Sequence, residues 1–245
     1  MVSVILLPCM NTVHVPTGSQ EEFVTTAATV IERAIIQAIE KNGRCTLGLS
    51  GGSTPGPVYD LLGRKKTIDW EHVHVFLVDE RCVDPTDDRS NQKLVEESLL
   101  RHAHVPDLQR HFPDTSMVPG EAARHYDHDV RSLLPDGGPD VVILGLGDDG
   151  HTASLFPPLS PGDLSAAEFV IATRVPNKLD GTPKFPVSDR LSTTLTLLRT
   201  AETKIFLLNG DQKKAIWAAT TKEGANVLEL PGALLLHHAI AVTRW

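Results

Sequence analysis

What most constrains this chain is a series of short apolar runs of strand length, each closed by glycine or charged residues. Residues 45–49, 73–78 and 140–144 are the clearest, and 169–172, 205–208 and 239–242 supply more. Runs that are apolar throughout belong to strands covered on both faces. Between them lie segments with apolar residues at helical spacing. Ser19-Gln20-Glu21-Glu22 has the S-x-x-E form of a capping box. After it Phe23, Ala27, Val30, Ile31, Ala34, Ile35, Ala38 and Ile39 form one stripe, which Asn42-Gly43 closes. Further helices are expected after Pro55 and over 90–101, 120–134 and 211–220. The alternation predicts an α/β chain, a mostly parallel sheet between two layers of helices. The apolar start, 1–10, stops at Pro8 and has no basic lead-in, so it reads as a first strand. No composition shift marks a boundary, and the 245 residues are expected to form one domain.

Charge excludes some partners. Lys plus Arg number 23 against 31 Asp plus Glu, a net charge of −8. A field of that sign repels nucleic acid and anionic lipid. No run nears the roughly 20 apolar residues of a membrane helix. Neither nucleic acid nor a membrane is expected as partner, and any anionic ligand needs local cations. Cys9, Cys45 and Cys82 are odd in number and far apart, which predicts free thiols in a reducing, cytoplasmic setting, with organelle targeting left open. An acidic domain of this kind is expected to be monomeric.

In an open parallel sheet, ligands bind beyond the carboxyl ends of the strands. Three such ends here are polar. The first, Ser50-Gly51-Gly52-Ser53-Thr54-Pro55, offers close backbone approach, hydroxyls and a helix start suited to an anion. It lacks the G-K-[ST] ending of a P-loop, and a plain tight turn with Ser as N-cap stands beside the anion reading. The second, Asp79-Glu80-Arg81, puts two carboxylates and a guanidinium at a strand end. Ser90-Asn91 after it reads as a helix cap.

The third, Gly145-Leu146-Gly147-Asp148-Asp149-Gly150-His151, superficially matches a dinucleotide fingerprint. Asp148 and Asp149 would repel a pyrophosphate, and the strand at 169–172 ends without an acid to hold a ribose. His151 beside Asp149 is instead a general-base arrangement. Whether Asp149 or Asp79 orients the ring stays open here. Candidate cations are Lys213 after Gly210, Arg190 in a stretch read as irregular, and more weakly Arg174. No C-x-x-C or G-x-S-x-G occurs, and the histidines at 72, 74, 125, 128, 237 and 238 form no convincing ligand set. No metal or cofactor is expected.

Together the segments LGLSGGSTP, FLVDERCV with Arg89-Ser90-Asn91, DVVILGLGDDGHTASLFP, PKFPVSDRLSTTLTLL and FLLNGDQK resemble, in order and spacing, the glucosamine-6-phosphate isomerase/6-phosphogluconolactonase family. The resemblance implies a modified Rossmann sheet of the isomerase/CoA-transferase kind. It implies hydrolysis of a phosphorylated sugar lactone, with no cofactor. It puts the catalytic histidine on His151 and the family's Asp-Glu-Arg segment on Asp79, Glu80 and Arg81. It puts phosphate binding on Ser50, Gly51, Gly52, Ser53 and Thr54, with Arg190 and Lys213. A deaminase of glucosamine-6-phosphate and a non-catalytic sugar-phosphate sensor share the pattern. Arg81 and Thr152-Ala153-Ser154-Leu155-Phe156 follow the lactonase form.

Overall fold

The apolar runs pair into one eight-stranded sheet in a computed structural model that describes residues 12–135, 137–178, 180–182 and 184–245, with the backbone of 5–7. Of the expected first strand only β1 (Ile5–Leu7) is described, and Cys9 lies outside the described residues. Then come β2 (Thr12–Pro16), α1 (Gln20–Asn42), β3 (Cys45–Leu49), α2 (Pro55–Gly63), β4 (Val73–Leu77), β5 (Asp79–Arg81) and α3 (Asn91–Val95). They are followed by β6 (Arg110–His111), α4 (Pro119–Leu133), β7 (Val141–Leu144), β8 (Val170–Arg174) and β9 (Asp189–Thr193). The chain ends with α5 (Leu195–Thr200), β10 (Thr203–Asn209), α6 (Asp211–Thr220) and β11 (Ala239–Arg244).

The large sheet has the order β1-β2-β11-β10-β7-β3-β4-β6, and only β1 with β2 runs antiparallel. From β3 the chain steps outward to β4 and β6, then returns to the other side of β3 as β7. Connections therefore leave β3 and β7 in opposite directions, which opens a crevice at their carboxyl ends. The Ser50 loop and the Gly145 loop leave the sheet there.

Both faces are covered. Successive strand residues point to opposite sides, so Leu47, Ile143, Ile205 and Leu207 join Phe23, Ile31 and Ile35 of α1 in one core. Val142, Leu144, Phe206 and Leu208 join Tyr126 and Val130 of α4 in the other. Helix α1 starts where Ser19 accepts from the Glu22 N–H and stops at Gly43, whose φ of 74° only glycine adopts freely. Glu22 completes the box one residue early, accepting from the Gly18 N–H at 2.7 Å.

The structure departs from the sequence reading at Asp79-Glu80-Arg81. These residues do not extend β4; they form β5 of a second, antiparallel sheet, β5-β9-β8. Val78 is the hinge: its N–H donates to Leu49 O in the large sheet, and its carbonyl accepts from Thr193 N and Oγ1 in the small one. Part of the stretch expected to be irregular is therefore strand. It is pinned to the sheet edge by pairing that local composition does not announce.

Three half-buried histidines give the fold a pH response. Burial lowers the ionisation of His14, His74 and His111 below the ordinary histidine value. The folded state then binds fewer protons than the unfolded chain. Their contribution to stability is full above about pH 6.5 and falls as pH drops through that value. The melting temperature is expected to be a few degrees lower at pH 5.5 than at pH 7.5, with a shallower slope in His111→Gln. Equal melting temperatures at the two pH values would refute this.

Candidate active site

A cavity of about 300 Å³ opens at the crevice between β3 and β7, at the low end of the size range of small-molecule sites. All three loops singled out in the sequence reach it. Ser50 to Pro55 line one side, Asp79 and Arg81 a second, and Gly145 to Asp148 with His151 a third; Arg190 and Lys213 complete the wall.

His151 is held by its own loop. Gly147 N donates to His151 O at 2.7 Å and Gly150 N to Gly147 O at 3.1 Å, a tight turn that needs Gly150 at φ 89°. His151 Nδ1 lies 2.5 Å from Asp149 Oδ1, which also accepts from the His151 N–H at 3.2 Å. A carboxylate only accepts, so Nδ1 carries a proton, and among the described residues Nε2 has no hydrogen-bond partner. Burial alone would push the Asp149 carboxyl up. The hydrogen bond and charge of His151, then Lys184, outweigh it and hold the group well below the ordinary carboxylate range. Phe156 stacks at a tilt on the imidazole, ring centres 4.8 Å apart, and Phe185 meets it edge-on at 6.2 Å.

Asp79 does not touch the ring. Its Oδ2 accepts from Ser154 Oγ at 2.6 Å, and its backbone carbonyl accepts from Asn91 Nδ2 at 2.7 Å. Of the two acids left open by the sequence, Asp149 is the one in contact with His151. Glu80 turns away from the cavity altogether. It is 2% exposed and accepts from the backbone N–H groups of Arg81, Asn91 and Gln92 and from Ser90 Oγ, anchoring the start of α3. Burial pushes its carboxyl up, and these four donors pull against that.

The cations sort by environment. Arg190 is on β9, not in a loop, and is buried. It stands directly opposite Arg81 across the antiparallel pair. Like charges facing each other across strands repel; burial first, then Arg81, lowers the Arg190 ionisation. Among the described residues neither guanidinium has a carboxylate within 4.0 Å. Among the described residues the Arg81 guanidinium donates only to the Arg89 carbonyl, at 2.6 Å, and that of Arg190 only to the Asp189 carbonyl, at 3.3 Å. Two guanidiniums so placed concentrate positive charge on one wall of the cavity. Lys213 is paired to Asp148 at 2.6 Å. Arg174 is 76% exposed, pairs with Asp189 and lies off the cavity.

In the glycine loop, Ser50 Oγ donates to Ile143 O at 2.7 Å, tying β3 to β7 and leaving Gly51, Gly52, Ser53 and Thr54 to face the cavity. A Cβ on Gly51 would lie 1.7 Å from Asn91 Oδ1, so only glycine fits there. Thr54, not a serine, stands at the start of α2 and makes no side-chain cap. Ser90 caps α3, as its position suggested.

Cys82 is half-buried and its thiol is pushed up to about 11, mainly by burial, so it is not a reactive thiolate. Among the described residues no group of three or more His, Cys, Asp or Glu is placed to hold a metal ion. His237 and His238 do not diverge as neighbours on a chain would suggest; their rings meet edge-on at 4.1 Å. No helix of the described residues is long and apolar enough to cross a membrane.

Sequence reasoning did not single out Lys184, Phe156, Phe185 or Ser154. The segments holding them were visible, but nothing local says that Lys184 reaches Asp149, 35 positions away in sequence.

Residues 18–245 match the family described as glucosamine-6-phosphate isomerases/6-phosphogluconolactonase. The chain is 34% identical over 219 residues to a probable 6-phosphogluconolactonase of Dictyostelium discoideum, covering 88% of this chain and 89% of that one. It is 37% identical over 203 residues to a 6-phosphogluconolactonase of Caulobacter vibrioides, covering 81% and 83%. The crystal structure of a 6-phosphogluconolactonase from Thermotoga maritima superposes with a TM-score of 0.81 at 28% identity, over 95% of this chain and 99% of that one.

Proposed function

Because the chain belongs to the glucosamine-6-phosphate isomerase/6-phosphogluconolactonase family, we propose that it hydrolyses 6-phospho-D-glucono-1,5-lactone to 6-phospho-D-gluconate, as a carboxylic-ester hydrolase. The observation that carries the mechanism is His151 at the cavity, its Nδ1 fixed by Asp149 and its Nε2 free. Neutral His151 takes a proton from water through Nε2 as the water oxygen attacks the lactone carbonyl. The imidazolium, stabilised by Asp149, then protonates the ring oxygen as the C–O bond breaks. The carbonyl of a lactone is electrophilic enough that a positioned general base is the main requirement.

The dianionic phosphate belongs at the opposite end of the substrate from that carbonyl. The Arg81 and Arg190 guanidiniums and the Gly51–Gly52 backbone suit it, since they are cationic or N–H-rich and, among the described residues, neither guanidinium has a carboxylate within 4.0 Å. Lys213 is already neutralised by Asp148 and 25% exposed, so its share is smaller. Lys213→Ala is expected to raise KM about 3- to 10-fold with kcat changed less than about twofold. A loss confined to kcat would place Lys213 in the chemistry instead.

The test of the function is a coupled assay. Glucose-6-phosphate dehydrogenase generates the lactone, and acid release is followed with and without the protein. A rate equal to the uncatalysed one would end this reading. Ammonia release from glucosamine-6-phosphate, measured in parallel, separates the deaminase alternative.

A further inference from the structure

We infer that Lys184 is a positioning residue for His151, acting through Asp149 as the far end of a Lys–Asp–His chain. The inference rests on the site described above. Asp149 divides its two oxygens between two partners: Oδ1 faces His151 Nδ1, and Oδ2 accepts from Lys184 Nζ. With one oxygen pinned, the carboxylate plane cannot swing, and the imidazole it holds cannot swing either.

This ion pair is not an incidental surface contact. Asp149 is 20% exposed and Lys184 34%, and they join the β8–β9 connection to the loop after β7. Exposed pairs contribute little, but here the shared carboxylate is half enclosed and already committed to a second group. The next residue, Phe185, puts its ring edge-on to the imidazole and lies beside Phe156, ring centres 6.4 Å apart. One short stretch of chain thus supplies both the charge that holds Asp149 and a wall that confines His151.

The ammonium also sets how strongly Asp149 favours a charged ring. A carboxylate that already neutralises a lysine has less to offer an imidazolium. Without Lys184, the full charge of Asp149 falls on His151, and the ring keeps its proton to higher pH. Less of it is then the neutral base that the reaction needs. The other charges near the ring are engaged elsewhere. Asp148 pairs with Lys213 of α6, and Asp79 accepts from Ser154, while Arg81 and Arg190 line the cavity from β5 and β9. Among the described residues none of them hydrogen-bonds Asp149.

Lys184→Met keeps the stem and removes the charge; Lys184→Arg restores a cation. The His151 Hε1 resonance is titrated by NMR in the wild type and both variants without substrate, and lactonase pH profiles are recorded beside it. In Lys184→Met the midpoint is expected to move up by about one pH unit, and the acid limb of kcat/KM is expected to move with it. Lys184→Arg should return both toward wild type, with KM within about threefold throughout. Lys184→Gln repeats the measurement should the Met variant fold poorly. An unmoved midpoint, or a raised KM with an unmoved acid limb, would overturn the proposal; the latter assigns Lys184 to substrate contact. The resonance needs no substrate, so an inactive wild type would fail the lactonase reading while still testing the Lys–Asp–His chain.

Discussion

Replacing His151 with alanine is expected to lower kcat about 10²- to 10⁴-fold, the contribution of a positioned general acid–base group. KM should change by less than about threefold, because the groups assigned to the phosphate lie on other elements: Gly51 and Gly52 after β3, Arg81 on β5 and Arg190 on β9. The imidazole makes no hydrogen bond among the described residues except to Asp149, so its loss strands no buried partner other than that carboxylate. Asp149 keeps Lys184, and the melting temperature should stay within a few degrees of wild type. The measurement is single-turnover or initial-rate hydrolysis with the spontaneous reaction of the lactone subtracted. Wild-type turnover in the variant would move the base to another residue, and with it the whole mechanism.

Gly147→Ala is expected to cost nearly as much without touching a reacting group. A Cβ at this position would lie 2.0 Å from His151 Nδ1, 2.2 Å from Cε1 and 2.6 Å from Asp149 Oδ1. No carbon sits so close to a ring nitrogen, so the imidazole, the carboxylate or the turn must give way by roughly an ångström. A displacement of that size costs on the order of 10²-fold in rate when it falls on a catalytic group. Gly145, two residues earlier in the same loop, has nothing within 4 Å of an added Cβ. Gly145→Ala should therefore lose far less kcat than Gly147→Ala. The reverse ranking, or a Gly147→Ala enzyme with wild-type kcat, would mean that His151 does not need the position it has here.

Much of this site is local and was readable for that reason. His151 and Asp149 are two residues apart in a glycine turn, and no distant contact is needed to bring them together. The glycines of the Ser50 loop likewise announced close approach, and Gly51 meets Asn91 as closely as that implies. Other assignments went astray where partners are far off in sequence. Asp79 and Glu80 looked equivalent, yet one lines the cavity and the other is buried under α3. Alternation on β5 decides this, and β5 exists only because β9 pairs with it. Arg190 looked like a loop residue for the same reason.

The sequence by itself determined the α/β alternation, the buried strands and the three polar strand ends, because periodicity, caps and turns are set within a few residues of chain. Only the tertiary structure decided which polar groups meet. It placed Arg81 against Arg190 and drew Lys184 to Asp149. It also brought Ser154 to Asp79 and turned Glu80 inward. Those pairings depend on strand register and on loops folding back over tens of residues. Register is a property of two segments together, and no single stretch of sequence carries it.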